Sequence, residues 1–247
     1  MANGPPTLVE LTHAAWRLDD RPREMALLVL DMQKEYDPYV THIIPKCLEL
    51  IDAFRAAGKL CVWTNWDHRF DDGWYSSIDH LVGAGGVADA SNPQFVWTPG
   101  GADTIPALAP RTDAEKAREI MSLHANKFAD RDADGEPILL PMLREANVDT
   151  VVIVGAWTDY CAAATALAAS DSWGFDVVVV TDAVASANVI SDNVSHSGLD
   201  ITSLFARSTD SQEVLDAVRE KAYKSQEKAT GARLGLGSAV HTSAASA

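Results

Sequence analysis

Four short apolar runs, each followed by a polar or small residue and then by a helix-like segment, constrain this chain most. They are "MALLVLD" at Met25–Asp31, "KLCVWTN" at Lys59–Asn65, "DTVVIVG" at Asp149–Gly155 and "FDVVVVTDAVAS" at Phe175–Ser186. Their apolar residues run nearly without interruption instead of alternating. A strand exposed on one face alternates, whereas a strand covered on both faces does not. Between them lie segments with helical spacing. "IIPKCLELIDAFRAAG" (Ile43–Gly58) repeats its apolar residues at three- and four-residue intervals, with Pro45 suited to a first turn and Gly58 to the position after the last. "PILLPMLREANV", "TDYCAAATALAASDSWG", "SDNVSHSGLDITSL" and "DSQEVLDAVREKAY" are also expected to be helical, and "AREIMSLHANK" to hold a further strand. Repeated strand–helix pairs of this kind define an α/β fold, with a mostly parallel sheet between two helical layers.

Two segments break the rhythm. Residues 65–101 are glycine- and aromatic-rich and much longer than an ordinary connection, a length usually associated with function. The stretch from residue 226 to the end is small and polar, with nothing to bury, and is expected to be disordered. The expected organisation is an N-terminal extension over 1–24, one domain over 25–225 and a tail over 226–247.

Charge and cysteine usage narrow the classes of function. A formal net charge of −15 argues against nucleic-acid and anionic-membrane partners, which need clustered Lys and Arg. No apolar run approaches the length of a membrane span. The first residues lack the basic and apolar regions of a signal peptide, so a cytoplasmic setting is expected. Cys47, Cys61 and Cys161 are odd in number and widely spaced, which fits neither a disulfide framework nor a CxxC metal pattern.

In open α/β sheets, ligands bind beyond the carboxyl ends of the strands. Asp31 follows the first run, Lys127 follows "EIMSLHAN", and Cys161 lies just after "VVIVG". An acid, a cation and a thiol are therefore expected at one sheet edge. A buried cysteine is most often a small core residue. The alternative is a nucleophile in the first turn of a helix capped by Thr158 or Asp159. There the helix dipole and Lys127 would lower the thiol pKa, while Asp31 would raise it and accept the proton. Three such residues at strand ends favour the functional reading.

"LLVLDMQKEY", "NKFAD" and "VGAWTDYC", in this order, resemble the isochorismatase-like cysteine hydrolases, with "TPGGADTIPALAP" and "TDAVAS" extending the likeness to roughly Met25–Val214. That family includes nicotinamidases, carbamoylsarcosine amidases and ureide hydrolases. The resemblance implies a Rossmann-like three-layer fold with a six-stranded sheet and a catalytic triad of Asp31, Lys127 and Cys161. It also implies a cis peptide at Ala156–Trp157 and an oxyanion hole from the backbone N–H groups of Trp157 and Cys161. The expected activity is hydrolysis of an amide or ureide C–N bond through a thioester, without a cofactor, in a homodimer or homotetramer. Two other readings stay open: an isochorismatase acting on a vinyl ether, which has no need of Cys161, and a binding protein that kept the fold.

Tyr36, Trp66, Trp74, His124, Phe128 and Tyr160 are the candidates for lining a substrate pocket. His196 is expected to be structural. Nicotinamidases of the family carry a D-x-H…H metal site, but here Asp67 and His68 are adjacent, and neighbouring side chains of an extended chain diverge. Asp67, His68 and His80 are therefore weak metal candidates, and no metal is expected. "GAGGVA" at Gly83–Ala88 loosely matches a dinucleotide-binding pattern but neither follows a strand nor opens a helix.

Overall fold

The structure is a computed structural model that describes residues 24–66, 100–186 and 206–220. Six parallel strands form one sheet: β1 (Met25–Leu30), β2 (Leu60–Trp66), β3 (Glu119–Ser122), β4 (Thr150–Ala156), β5 (Asp176–Ala185) and β6 (Arg207–Thr209). Their order across the sheet is β3-β2-β1-β4-β5-β6. The chain thus winds outward from β1 to one side, then returns to start β4 on the other. The two central strands diverge in connectivity at their carboxyl ends, which opens the crevice typical of a doubly wound sheet.

Two apolar layers cover the sheet. On one face Met25, Leu27 and Val29 pack against Leu50, Ile51 and Phe54 of α1 (Ile44–Ala56). The same layer takes Val214, Leu215 and Val218 from a helix over 211–220. On the other face Ala26, Leu28 and Leu30 meet Leu139, Leu140 and Leu143 of α2 (Leu139–Glu145). They also meet Ala162, Ala166 and Ala169 of α3, a helix over 158–172. The alternation of β1 between the two layers explains its unbroken apolar sequence, since every residue of it is buried. The helix over 211–220 is α4. The expected three-layer α/β architecture is what the chain forms.

Details follow the residues. Pro45 sits in the first turn of α1, where its missing N–H costs nothing, and Gly58 takes φ +65° just past its end. Helix α3 is not a simple α-helix. Thr158–Ala162 and Ala168–Ser172 are π-helical turns flanking the α-helical Ala163–Leu167. β6 does not appear among the sequence-derived strands; its three residues are polar and carry no apolar run. The helix expected in "SDNVSHSGLDITSL" lies outside the described residues, as do the N-terminal extension before Glu24, the tail, "GAGGVA" and His196.

Candidate active site

The carboxyl ends of β1 and β4 carry the site. Asp31 follows β1 in a left-handed conformation, φ +50°, uncommon outside glycine. Its N–H donates to the Thr64 carbonyl at 2.9 Å, extending the β1–β2 ladder by one bond. Its side chain is 1% exposed. Oδ1 accepts from Thr64 Oγ1 at 2.8 Å, and Oδ2 lies 2.9 Å from Lys127 Nζ.

Lys127 is fully buried. Its ammonium donates to Ser122 Oγ at 3.1 Å and to the His124 carbonyl at 3.0 Å, besides its ion pair with Asp31. Its backbone N–H donates to Thr165 Oγ1 of α3 at 3.3 Å, which ties the loop after β3 to that helix. Burial pulls the Lys127 pKa down. The negative carboxylates around it, Asp31 first and then Asp130, outweigh that and raise it, so the side chain is a cation.

Cys161 lies in the π-helical turn that opens α3, 2% exposed. The turn has no side-chain cap; Trp157 occupies the capping position, and its carbonyl accepts from the N–H groups of Tyr160 at 3.1 Å and Ala162 at 3.0 Å. The caps expected from Thr158 or Asp159 are absent here. The thiol lies in the surroundings of the Asp31 carboxylate, the Lys127 ammonium and the Trp157 backbone N–H. Burial, and then the Asp31 charge, push the thiol pKa well up, against the lowering effect of Lys127 and the Trp157 N–H. The lowering expected from the helix dipole does not prevail, and the resting group is a neutral thiol facing a carboxylate. Burial likewise pushes Cys47 and Cys61 up to about 12, so acidity does not single out Cys161. Its neighbours do: Cys47 Sγ donates to the Ala183 carbonyl at 3.5 Å, and Cys61 lies toward Arg55 and Glu115, away from Asp31.

The Ala156–Trp157 peptide is cis, and Gly155 before it has φ +109°. A Cβ on Gly155 would stand 2.1 Å from the Leu30 carbonyl oxygen. Only glycine lets β4 approach β1 this closely next to Asp31.

Of the expected lining residues, Tyr36 is fully buried with its ring 4.9 Å from that of Trp157, tilted by 53°. Burial first, then the charges of Asp31 and Glu35, raise its pKa. Tyr160 packs half-buried on the same layer. Trp66 closes β2, and the Gln33 side chain holds its backbone through bonds of 2.8 Å and 3.0 Å. His124 presents its imidazole Nδ1 to Asp130 Oδ1 at 2.8 Å. Phe128 points elsewhere: it packs in the layer with α2 and α3, 6.0 Å from Phe175 and 6.3 Å from Trp173. Lys127 and Phe128 share a turn closed by the Ala129 N–H on the Asn126 carbonyl at 2.9 Å, which sends Lys127 to the site and Phe128 into the core. Trp74 is outside the described residues, as are Asp67, His68 and His80. Among the described residues, no three His, Cys, Asp or Glu side chains are grouped to hold a metal ion.

Thr64, Ser122 and Asp130 are absent from the sequence-derived candidates. The signal was present in part, because Thr64 and Ser122 are polar residues at the ends of buried strands. A second concavity, at the amino ends of β1, β2 and β3, is lined by Arg55, Lys59 and Arg111. These three cations are paired with Glu115, Glu24 and Asp52, while Arg118, which also lines the concavity, donates to the Ala114 carbonyl. No helix among the described residues is long and apolar enough to cross a membrane.

With this geometry in place, comparison with known proteins assigns the class. Residues 25–213 match the isochorismatase domain family, and the chain belongs to it. It is accordingly a hydrolase of the isochorismatase-like group. Similar solved structures include an isochorismatase-like hydrolase from Alkaliphilus metalliredigens at 25% identity, covering 78% of this chain and 98% of that one, with a TM-score of 0.61. A cysteine hydrolase from Pseudomonas syringae pv. phaseolicola 1448A shares 22% identity over 83% of this chain and 100% of that one, with a TM-score of 0.62. An N-carbamoylsarcosine amidase from Thermoplasma acidophilum shares 23% identity over 76% of this chain and 96% of that one, with a TM-score of 0.56. No curated protein matches the sequence.

Proposed function

We propose that the chain is a cysteine-dependent hydrolase that cleaves a non-peptide amide or ureide C–N bond through a thioester. The observation that carries this reading is the buried Asp31–Lys127 pair, 2.9 Å apart, whose charges act on the equally buried thiol of Cys161. A thiol held neutral by burial is a poor nucleophile unless a base takes its proton as it attacks. Asp31 is that base.

As Sγ forms its bond to the substrate carbonyl carbon, the proton passes to Asp31 and the carbonyl electron pair moves onto oxygen. The backbone N–H groups of Trp157 and Cys161 receive this oxyanion. Collapse breaks the C–N bond, and the departing nitrogen takes the proton back from Asp31. Asp31 then accepts a proton from water, whose oxygen attacks the thioester carbon. The C–S bond breaks, and the proton returns to sulfur. Lys127 remains an ammonium throughout and offsets the charge on Asp31 and the sulfur. An isochorismatase reaction protonates a carbon and gives Cys161 nothing to do.

The test is a turnover screen of nicotinamide, pyrazinamide, biuret, carbamoyl amino acids and isochorismate, reading ammonia and pyruvate. Ammonia release is expected, abolished in Cys161→Ala and reduced at least about a hundredfold in Asp31→Asn, the low end for general acid–base catalysis. Full turnover by Cys161→Ala, or pyruvate as the product, overturns the proposal.

A further inference from the structure

The loop after β3 holds a second buried carboxylate that the mechanism above does not use. Asp130 is 3% exposed. Its Oδ2 accepts from Ser122 Oγ at 2.6 Å, and its Oδ1 accepts from the Leu123 N–H at 3.1 Å and faces His124 Nδ1 at 2.8 Å. Ser122 is fully buried at the end of β3, and its oxygen is also the acceptor for Lys127 Nζ at 3.1 Å.

A hydroxyl has one proton to give. The short bond to a carboxylate is the charge-assisted one and claims that proton. Ser122 must then offer lone pairs to everything else near it, including Lys127. A second acceptor, the His124 carbonyl, lies 3.0 Å from Ser122 Oγ, so without Asp130 the hydroxyl has another place to turn. The Lys127 ammonium donates two hydrogen bonds, to Ser122 Oγ and the His124 carbonyl, and is ion-paired with Asp31 Oδ2. Losing one leaves a buried cation with an unmatched donor, which costs free energy and loosens its aim at Asp31.

We infer that Asp130 and Ser122 are positioning residues of the reaction: Asp130 orients the Ser122 hydroxyl, and that hydroxyl fixes the Lys127 ammonium beside Asp31 and Cys161. The inference rests on the proposed role of Cys161 only for its catalytic consequence; the placement of Lys127 can be read from the thiol itself. The titratable groups facing Lys127 are Asp31 after β1, Cys161 in α3, and Asp130 with His124 in its own loop, with Tyr36 beyond Asp31.

The two roles open to Asp130 predict opposite signs. As a remote negative charge only, its removal would make Cys161 easier to ionise. As the anchor of Lys127, its removal withdraws a cation from the thiol and makes Cys161 harder to ionise. The experiment is the pH profile of iodoacetamide alkylation at Cys161 in the full chain, quantified by peptide mapping so that Cys47 and Cys61 do not contribute. Ser122→Ala, which changes no charge, and Asp130→Asn are each expected to move the midpoint upward and slow alkylation about tenfold near neutral pH, as a shift of about one unit requires. Ser122→Thr, which keeps the hydroxyl, should restore the wild-type profile. An unchanged profile in Ser122→Ala, or a downward shift in Asp130→Asn, overturns the inference; if Asp130→Asn fails to fold, the Ser122 pair decides alone. Full turnover by Cys161→Ala would instead overturn the proposed function and leave this result standing.

Discussion

Thr64 holds Asp31 twice: its carbonyl accepts the Asp31 N–H at 2.9 Å, and its hydroxyl donates to Asp31 Oδ1 at 2.8 Å. Thr64 is paired with Leu30 in the β1–β2 register, so the sheet itself sets the position of the Asp31 carboxylate, the proposed base. The backbone bond fixes where the residue sits, and the hydroxyl fixes which way its carboxylate turns. Oδ2 is thereby left to Lys127, 2.9 Å away.

Thr64→Val keeps the shape and removes only the hydroxyl. The backbone bond survives, while a buried carboxylate oxygen loses its partner, at a cost of about 1–3 kcal/mol. Turnover should fall about tenfold or more, because the carboxylate is free to rotate. Thr64→Ser should stay close to wild type in both. Denaturant midpoints and kcat for the two variants check this, and equal behaviour of Val and Ser would show that the hydroxyl plays no part.

How much of this was legible in the sequence depends on the kind of information each residue carries. β1, β2, β4 and β5 are readable because burial on both faces demands unbroken apolar runs. β6 is not, since an edge strand of Arg207, Ser208 and Thr209 carries no such demand. Asp31, Lys127 and Cys161 stand out by sitting just after strands. Asp130 does not, because its significance lies in a bond to Ser122, eight residues away, that no periodicity announces. Burial, ahead of the Asp31 charge, decides the direction in which the Cys161 pKa moves. The helix dipole and a lysine are visible in sequence, whereas complete burial against a carboxylate is visible only in the fold.

Gly155 and Gly58 offer a controlled comparison. Both have positive φ, +109° and +65°, but a Cβ on Gly58 would meet nothing within 4 Å, while one on Gly155 would meet Leu30 O at 2.1 Å. Gly58→Ala should therefore cost only about 1 kcal/mol, the left-handed penalty. Gly155→Ala adds an overpacking cost against rigid backbone, for a total of about 3 kcal/mol or more, and displaces Leu30 and with it Asp31. Urea denaturation of both variants reads the difference. Comparable losses at the two sites would mean that β4 can move away from β1 without harm.

The last prediction concerns acid stability and a carboxylate remote from the site. Glu115 accepts from Arg55 Nε at 2.7 Å and Nη2 at 3.0 Å, and from the Arg111 N–H at 2.6 Å, and completes a capping box with Thr112. The Arg55 hydrogen bond, against the opposing effect of burial, holds its carboxyl down at about 2 in the folded chain, below an ordinary value of 4.5. A group with a depressed folded pKa binds fewer protons when folded than when unfolded. Its contribution is therefore complete above about pH 4.5 and is lost as pH falls toward about 2. With solvent screening allowed for, about 1–2 kcal/mol is expected from it at neutral pH. Glu115→Gln should lower stability by that amount at pH 7, and the gap to wild type should close progressively between about pH 4.5 and pH 2. Denaturant unfolding of both proteins across that range measures the gap directly. A gap that stays constant down to the lowest pH would assign the loss to packing or capping and not to the Arg55–Glu115 charge pair.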